Sequence, residues 1–340
     1  MSRGPHRPAR HGLGDPRIAW IVVLDVATDQ PPLPDQVTAR LESLAREAGW
    51  PTPSTGAVVD GDRRRLLATL ASEGGADAVR VGLHAGGLVI AARHDLLDGL
   101  AMLGVAAQLL GIPLVSSARG VGDRPVAASA LARRAWEVAV RPSARVADSH
   151  VSRAAGDVFA ATRVTGSART AEVVHAATEA IVEWNGRLGR PTRRISVAVG
   201  VSTVSAADHD LTDRSAFLRL SGVERLGADQ IRERLADAPL QPGAGAGAGG
   251  GLLGVASRAA VRLTAPRLGS TLLVSHLGAV DTPSSVESAG FYPVSGGGSG
   301  LALGAATLHG STTLTLRGRG TQHDDEGLHN LLTLVVDALS

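Results

Sequence analysis

The chain has 340 residues, of which 44% are hydrophobic, and a formal net charge of +2; it can therefore bury a large core, in about two domains or one two-lobed unit. It contains no cysteine and no lysine, which excludes disulfides, a thiolate nucleophile, Schiff-base catalysis and a lysine-based phosphate loop. Only 2% of the residues are aromatic and no basic patch is interleaved with aromatics, so nucleic acid is not an expected partner.

The N-terminal segment has no hydrophobic periodicity. Residues 1–16 are rich in Arg, Pro, Gly and His, which predicts a disordered arm. This segment lacks the apolar core of a secretory signal, and no run of 18 apolar residues follows it. We therefore expect a cytoplasmic protein without a transmembrane segment.

The first half of the chain alternates strand and helix patterns. Two extended runs, 78–84 and 88–92, flank the turn Ala85-Gly-Gly87 and predict a hairpin. Around this hairpin the patterns predict a strand at 18–26, helices at 33–48, 64–72 and 100–110, and a crossover with Arg, Pro and Gly at 116–148.

The hairpin ends on Arg93-His94-Asp95-Leu96-Leu97-Asp98-Gly99. A histidine at a strand end can face a cleft, and a neutral imidazole can take a proton at physiological pH. The same residues have a simpler interpretation, in which Asp98 caps the following helix and His94 is an ordinary loop histidine. The sequence leaves both interpretations open.

The second half begins with a predicted helix and continues with a mixture of strands and helices. The glycine-rich segment 241–251 is interpreted as a flexible loop, because no clear strand enters it and no lysine follows. The predicted helices lie at 168–188, 228–236 and 326–339, and the predicted strands at 194–201, 215–220, 270–278, 300–306 and 311–317.

The remaining histidines carry no clear chemical pattern. His323-Asp-Asp-Glu326 has metal-ligand residue types, but these carboxylates are better explained by the positive N-terminal end of the last helix, so no metal site is expected. Six further histidines are predicted to be structural or solvent-facing: His84, His150, His175, His209, His309 and His329.

His94, Asp98 and Gly99 together resemble the HxxxDG signature of the chloramphenicol acetyltransferase-like superfamily, which includes CoA-dependent acyltransferases, condensation domains and wax ester synthases. The order of elements over residues 17–340 is also similar to that of the family. The resemblance implies an α/β fold with two lobes, 17–145 and 146–340, which form a V around a tunnel.

Three positions depart from the family pattern. Arg93 stands where many members have a leading histidine, and His276 stands where the family commonly has asparagine. Ser202 and Thr203 follow the 194–201 strand, where many members have an arginine that pairs with the motif aspartate. The partner of Asp98 is therefore unassigned.

The resemblance implies acyl transfer from a CoA or carrier-protein thioester to a hydroxyl or amine of a small molecule, in natural-product or lipid biosynthesis. His94 would be the general base, Asp98 would hold its loop, Gly99 would allow close backbone approach, and Ser275 or His276 would bind the oxyanion or substrate. No tightly bound cofactor is implied, since CoA or phosphopantetheine is a co-substrate; a carrier protein is a possible partner. The alternatives are an inactive condensation-like protein that binds a carrier protein or partner enzyme, and a non-acyl reaction such as cyclisation.

Overall fold

The structure, a computed structural model, describes residues 20–72, 77–122, 124, 140, 142–149, 156–241, 269–295 and 300–340. The predicted arm at 1–16, His150, most of the crossover and nearly all of the glycine-rich segment lie outside the described residues. No helix among the described residues is long and apolar enough to cross a membrane.

The described first half supplies five strands and three helices. Each predicted helix is found within a residue or two of its expected bounds. The elements are β1 Ile21–Thr28, α1 Pro34–Ala48, β2 Val58–Asp60, α2 Arg63–Ser72, β3 Val79–His84, β4 Gly87–Arg93, α3 Gly99–Leu110 and β5 Val115–Ser116.

The described part of the second half supplies seven strands and three α-helices. They are β6 Asp157–Thr165, α4 Thr170–Arg187, β7 Ser196–Ser202, β8 Ser215–Ser221, α5 Ala228–Asp237, β9 Leu272–Asp281, β10 Val286–Tyr292, β11 Leu301–Leu308, β12 Ser311–Arg319 and α6 Asp325–Leu339. The predicted α/β class is confirmed.

Two sheets organise these strands. The first has the order β10-β1-β4-β3-β2, and the second has the order β6-β12-β11-β9-β7-β8 with β5 paired to β9. The predicted hairpin is the antiparallel pair of β3 and β4. Gly87 begins β4 with φ +142°, and a Cβ there would lie 2.0 Å from the Val26 carbonyl oxygen, so the turn requires glycine.

Four strands were not predicted: β2, β5, β6 and β10. We expected the second half to begin with a helix, but β6 comes first. It is a partly exposed edge strand, and edge strands carry a weak hydrophobic pattern because only part of their surface is buried. Ser288, Ala289 and Gly290 interrupt β10 with small residues of low strand propensity.

β10 links the two halves of the chain. It lies beyond residue 146 in sequence, yet it pairs with β1 at the edge of the first sheet. It also crosses β11 closely: a Cβ on Gly304 would lie 1.7 Å from the Phe291 carbonyl oxygen, and the Thr315 hydroxyl donates a hydrogen bond to that oxygen. The V shape, the tunnel and the division at residue 146 stay predictions.

Candidate active site

The motif turn follows β4 directly. The His94 backbone N–H donates to the Trp20 carbonyl at 2.8 Å, and the N–H groups of Leu96 and Leu97 both donate to the Arg93 carbonyl at 3.0 and 3.1 Å. The chain therefore makes one tight turn between β4 and α3. This turn fixes the backbone that carries His94.

The ring of His94 is oriented by its own turn. Its Nδ1 lies 3.2 Å from the Leu97 carbonyl oxygen. A carbonyl oxygen can only accept a hydrogen bond, so Nδ1 carries a proton. In a neutral imidazole the other nitrogen, Nε2, then presents a lone pair, and among the described residues it has no hydrogen-bond partner. That is the form of histidine that can accept a proton.

Asp98 is the N-cap of α3. Its Oδ1 accepts hydrogen bonds from the backbone N–H groups of Leu100 and Ala101 at 3.0 and 2.9 Å. The helix-capping interpretation of this residue is therefore correct. Capping uses only one oxygen, which leaves Oδ2 free for another role.

The second oxygen of Asp98 reaches the other half of the chain. Oδ2 accepts from His209 Nε2 at 2.9 Å and from the Arg214 backbone N–H at 3.0 Å, and the side chains of His209 and Asp98 are 5% and 4% exposed. Of the two predicted alternatives for His209, structural or solvent-facing, the structure shows a residue with a buried side chain and a partner that its sequence pattern did not indicate. Its partner is Asp98, which is 111 residues away in sequence.

Gly99, the first residue of α3, lies against β9 and β10. A Cβ added there would lie 2.7 Å from Leu277 Cδ2, closer than real Cβ contacts, and 3.0 Å from Phe291 Cζ, tighter than most of them. Glycine thus lets the capped end of α3 approach the strands of the cavity wall.

One cavity lies between the two halves of the chain, and all five predicted site residues line it: His94, Asp98, Gly99, Ser275 and His276. Its volume is about 70 Å³, room for two or so water molecules. Its walls come from β1, the motif turn, α3, β7, β8, β9 and β10.

β9 separates the two predicted oxyanion residues. Successive strand residues face opposite sides of a sheet. Ser275 is in register with Gly200 and Gly304 on the neighbouring strands and shares a face with Leu277, which packs on Gly99. His276 is on the face of Val274, in the core beneath α4, and its Nδ1 lies 3.1 Å from the Thr170 hydroxyl. The side chain on the His94 side of β9 is therefore Ser275.

His276 is a buried, neutral histidine. Burial lowers its pKa to about 4, although the charge of Glu172 opposes this shift. Its Nε2 is shielded from solvent and has no hydrogen-bond partner among the described residues.

Solved structures show the same architecture. A mutant starter condensation domain of rhizomide synthetase, in complex with C8-CoA and Leu-SNAC, is similar to this chain with a TM-score of 0.54 and 13% identity, over 97% of this chain and 91% of that one. The chain also resembles the condensation domain that mediates chain release from the enacyloxin polyketide synthase, with a TM-score of 0.51 and 12% identity over 100% and 82% of the two chains.

The third structure is the epimerization domain from the third module of tyrocidine synthetase B, with a TM-score of 0.51 and 12% identity over 97% and 91% of the two chains. The chain has the condensation-domain fold. The predicted resemblance to the chloramphenicol acetyltransferase-like superfamily is confirmed at the level of the fold. No protein-family model matches the chain, and no curated protein sequence matches it.

Within this condensation-domain fold, the departures from the family pattern have local explanations. Arg93 forms an ion pair with Asp95, whose Oδ2 is 2.6 Å from Arg93 Nη2, and does not line the cavity. Ser202, the last residue of β7, does line it. The loop that follows β7 supplies His209, so Asp98 has a hydrogen-bond partner although no arginine stands at the strand end.

A larger, open groove of about 790 Å³ lies at the other end of β7 from the cavity. Its wall includes the arginines 190, 193, 194 and 225 and none of the predicted site residues. His94 therefore lines the smaller cavity between the two halves and not this groove.

The acidic segment before the last helix acts as a cap. Asp324 Oδ1 accepts from the Gly327 backbone N–H at 2.8 Å, and Asp325 and Glu326 lie in the first turn of α6. His323 is buried, and this burial lowers its pKa although Asp148 and Asp324 oppose the shift. The interpretation of these carboxylates as the start of a helix is confirmed.

Proposed function

We propose that this protein is an acyltransferase that moves an acyl group from a CoA or carrier-protein thioester to the hydroxyl or amine of a small molecule, in natural-product or lipid biosynthesis. The observation that carries the proposal is the tautomer of His94. Its Nδ1 is committed to the Leu97 carbonyl, so Nε2 is the proton acceptor in a residue that lines the cavity between the two halves.

The reaction balances with groups that line this cavity. His94 Nε2 takes the proton of the acceptor as its oxygen or nitrogen attacks the thioester carbonyl. The tetrahedral oxyanion accepts a hydrogen bond from the Ser275 hydroxyl. Collapse of the intermediate breaks the carbon–sulfur bond, and the leaving thiolate takes the proton from the His94 imidazolium. No acyl-enzyme forms, and no cofactor beyond the thioester is consumed.

The substrates need more room than the described cavity provides. A volume of about 70 Å³ is well below the roughly 300–1,000 Å³ of ordinary ligand pockets. Binding of the thioester arm and acceptor therefore requires the two halves to separate or their side chains to move. C8-CoA bound to a starter condensation domain of the same fold supports a thioester as the co-substrate.

The second candidate is a protein of this fold that binds a carrier protein or partner enzyme without transferring acyl groups. The small cavity favours it, as does Arg93, which pairs with Asp95 and stays out of the cavity. The two functions differ in one property: only the acyltransferase turns over a thioester when an acceptor is present.

Thiol release tests the proposal. Because the chain contains no cysteine, a thiol reagent reports CoA or a pantetheine analogue without background from the protein. A panel of acyl thioesters is incubated with alcohol and amine acceptors, using the wild type, His94→Ala and His94→Gln. We expect acceptor-dependent release by the wild type and a loss of about 10²- to 10⁴-fold in both variants.

The matched control is His329→Ala, which removes an exposed histidine of α6. It should transfer at the wild-type rate, and circular dichroism should show that the His94 variants are folded. Equal turnover in the wild type and the His94 variants would exclude His94 as the base. Intact mass after incubation with the thioester alone should be unchanged; a mass increase by the acyl group would contradict direct transfer.

A further inference from the structure

The Asp98 contact joins the motif to a loop of the second half, residues 203–214 between β7 and β8. His209 and the Arg214 backbone both donate to Asp98 Oδ2. Leu211 packs on α3, since a Cβ on Gly104 would lie 2.8 Å from Leu211 Cδ2. The loop thus rests on the capped end of α3 and on the side of that helix.

The hydrogen bonds of His209 require a charged ring. Nδ1 faces the Asp210 carbonyl oxygen, which can only accept a hydrogen bond. Nε2 faces Asp98 Oδ2 at 2.9 Å, and an ionised carboxylate is also an acceptor only. Both nitrogens therefore donate, and the residue is an imidazolium in a buried ion pair. If the ring lost one proton, a nitrogen lone pair would face an oxygen at one of the two contacts.

We propose that His209 is a positioning residue for the reaction: its imidazolium, held between the Asp98 carboxylate and the Asp210 carbonyl, fixes the β7–β8 loop on the first turn of α3 and so keeps the turn that carries His94 in place. The catalytic part of this inference rests on the proposed acyl transfer. The contact itself does not.

The charges around His209 favour its protonated form. Burial lowers its pKa, but the hydrogen bond and charge of Asp98 and the carbonyl and charge of Asp210 outweigh this, and the pKa is raised above 6.5. Hydrogen bonds from Arg214 hold the pKa of Asp210 at about 2. Among the described residues, Asp208 and Asp213 lie in the same loop, and the exposed Arg119 follows Ala118, whose carbonyl accepts from the Ala206 backbone N–H. Helix α3 itself contributes no charged side chain.

The sign of the pH dependence follows from this raised pKa. The ion pair contributes fully below pH 6.5, the ordinary value for the unfolded chain, and is lost as pH rises through the raised folded value. Transfer should therefore decline on the alkaline side as His209 loses its proton. This alkaline limb of the pH–rate profile is separate from the acidic limb, which is expected of any histidine base because the base works only when neutral.

The test compares pH profiles of kcat/KM for the wild type, His209→Arg, His209→Gln and the control His329→Gln. Arginine keeps its charge at every accessible pH, so His209→Arg should keep transfer and lose the alkaline limb. His209→Gln should lose roughly tenfold or more at neutral pH and also lack the limb. The control should keep the wild-type profile. An alkaline limb that persists in both His209 variants would overturn the proposal.

A second measurement needs no acyl substrate and separates this inference from the proposed function. In imidazole NMR spectra, we expect the His209 signals to titrate above the ordinary histidine value of 6.5. Besides any change caused by protonation of His94 itself, the His94 signals should show a second shift that follows His209 in the wild type and is absent from His209→Arg. In Asp98→Asn the His209 midpoint should fall by about 1 to 3 pH units. If the His94 signals show no shift that follows the titration of His209, the positioning role is overturned, whether or not transfer is detected.

Discussion

His209 and His276 lie in the same half of the chain, yet their surroundings move their pKa values in opposite directions. His209 has two acceptors and a raised pKa. His276 is buried beside a hydroxyl, and this burial lowers its pKa to about 4. One histidine is thus kept charged and the other neutral by the groups that the fold places around them.

The neutral state of His276 predicts acid lability. Between pH 6.5 and about pH 4 the unfolded chain binds a proton at this residue that the native state does not, so the free energy of unfolding falls as pH falls through this range. The loss from His276 is about 3 kcal/mol. His276→Asn should remove this part of the loss, measured by urea unfolding at pH 7 and pH 4.

Buried His323, whose pKa is also lowered, contributes a loss of the same sign in every variant, and exposed His329→Asn serves as the control. If His276→Asn loses as much stability on acidification as the wild type, His276 is not the neutral buried group described here.

The sequence identified His94, Asp98 and Gly99 because their spacing is local. It could not identify His209, which sits 111 residues from its partner in a loop without periodicity. Only the pairing of β7 with β8 and the docking of their loop on α3 bring the two side chains together. For a related reason the sequence could not show that Ser275 and His276 point to opposite sides. Both belong to one short motif, but neighbouring residues of a strand lie on different faces of the sheet.

Helix α3 depends on the missing side chain of Gly99. A Cβ there would lie 2.7 Å from Leu277 and 3.0 Å from Phe291, so Gly99→Ala should push the first turn of α3 away from β9 and β10. We expect a loss of about 1–3 kcal/mol in the free energy of unfolding and slower transfer, because the displaced turn carries Asp98. Urea unfolding and thiol release measure the two effects.

Gly56→Ala is the matched control, since a Cβ at Gly56 meets nothing within 4 Å. Full stability and full transfer in Gly99→Ala would show that the close approach of α3 to the strands is not needed. The helices themselves were predictable because each has an apolar face of helical period. The edge strand β6 was not, because its partial exposure removes that signal.

Strand β10 couples the two sheets of the molecule. Because a strand from beyond residue 285 completes the first sheet and crosses the second at Gly304 and Thr315, neither sheet can unfold without disturbing the other. We expect one cooperative thermal transition, with equal calorimetric and van't Hoff enthalpies. The sequence could not show this coupling, because partners in a sheet are set by the fold and not by local pattern.

Thr315→Val tests the coupling directly. It leaves the Phe291 carbonyl without its buried hydroxyl donor, which should cost about 1–3 kcal/mol and move the whole transition to lower temperature. The exposed Thr333→Val is the control. If Thr315→Val shows two thermal transitions, of which only one moves to lower temperature, the two halves unfold independently.

The central claim is that His94 accepts a proton during acyl transfer between the two halves. The most direct measurement is the acceptor-dependent rate of thiol release by His94→Gln against the wild type, with the best thioester and acceptor found in the panel and with folding checked by circular dichroism. A rate lower by about 10²-fold or more is the predicted result. A folded His94→Gln that transfers at the wild-type rate would contradict it.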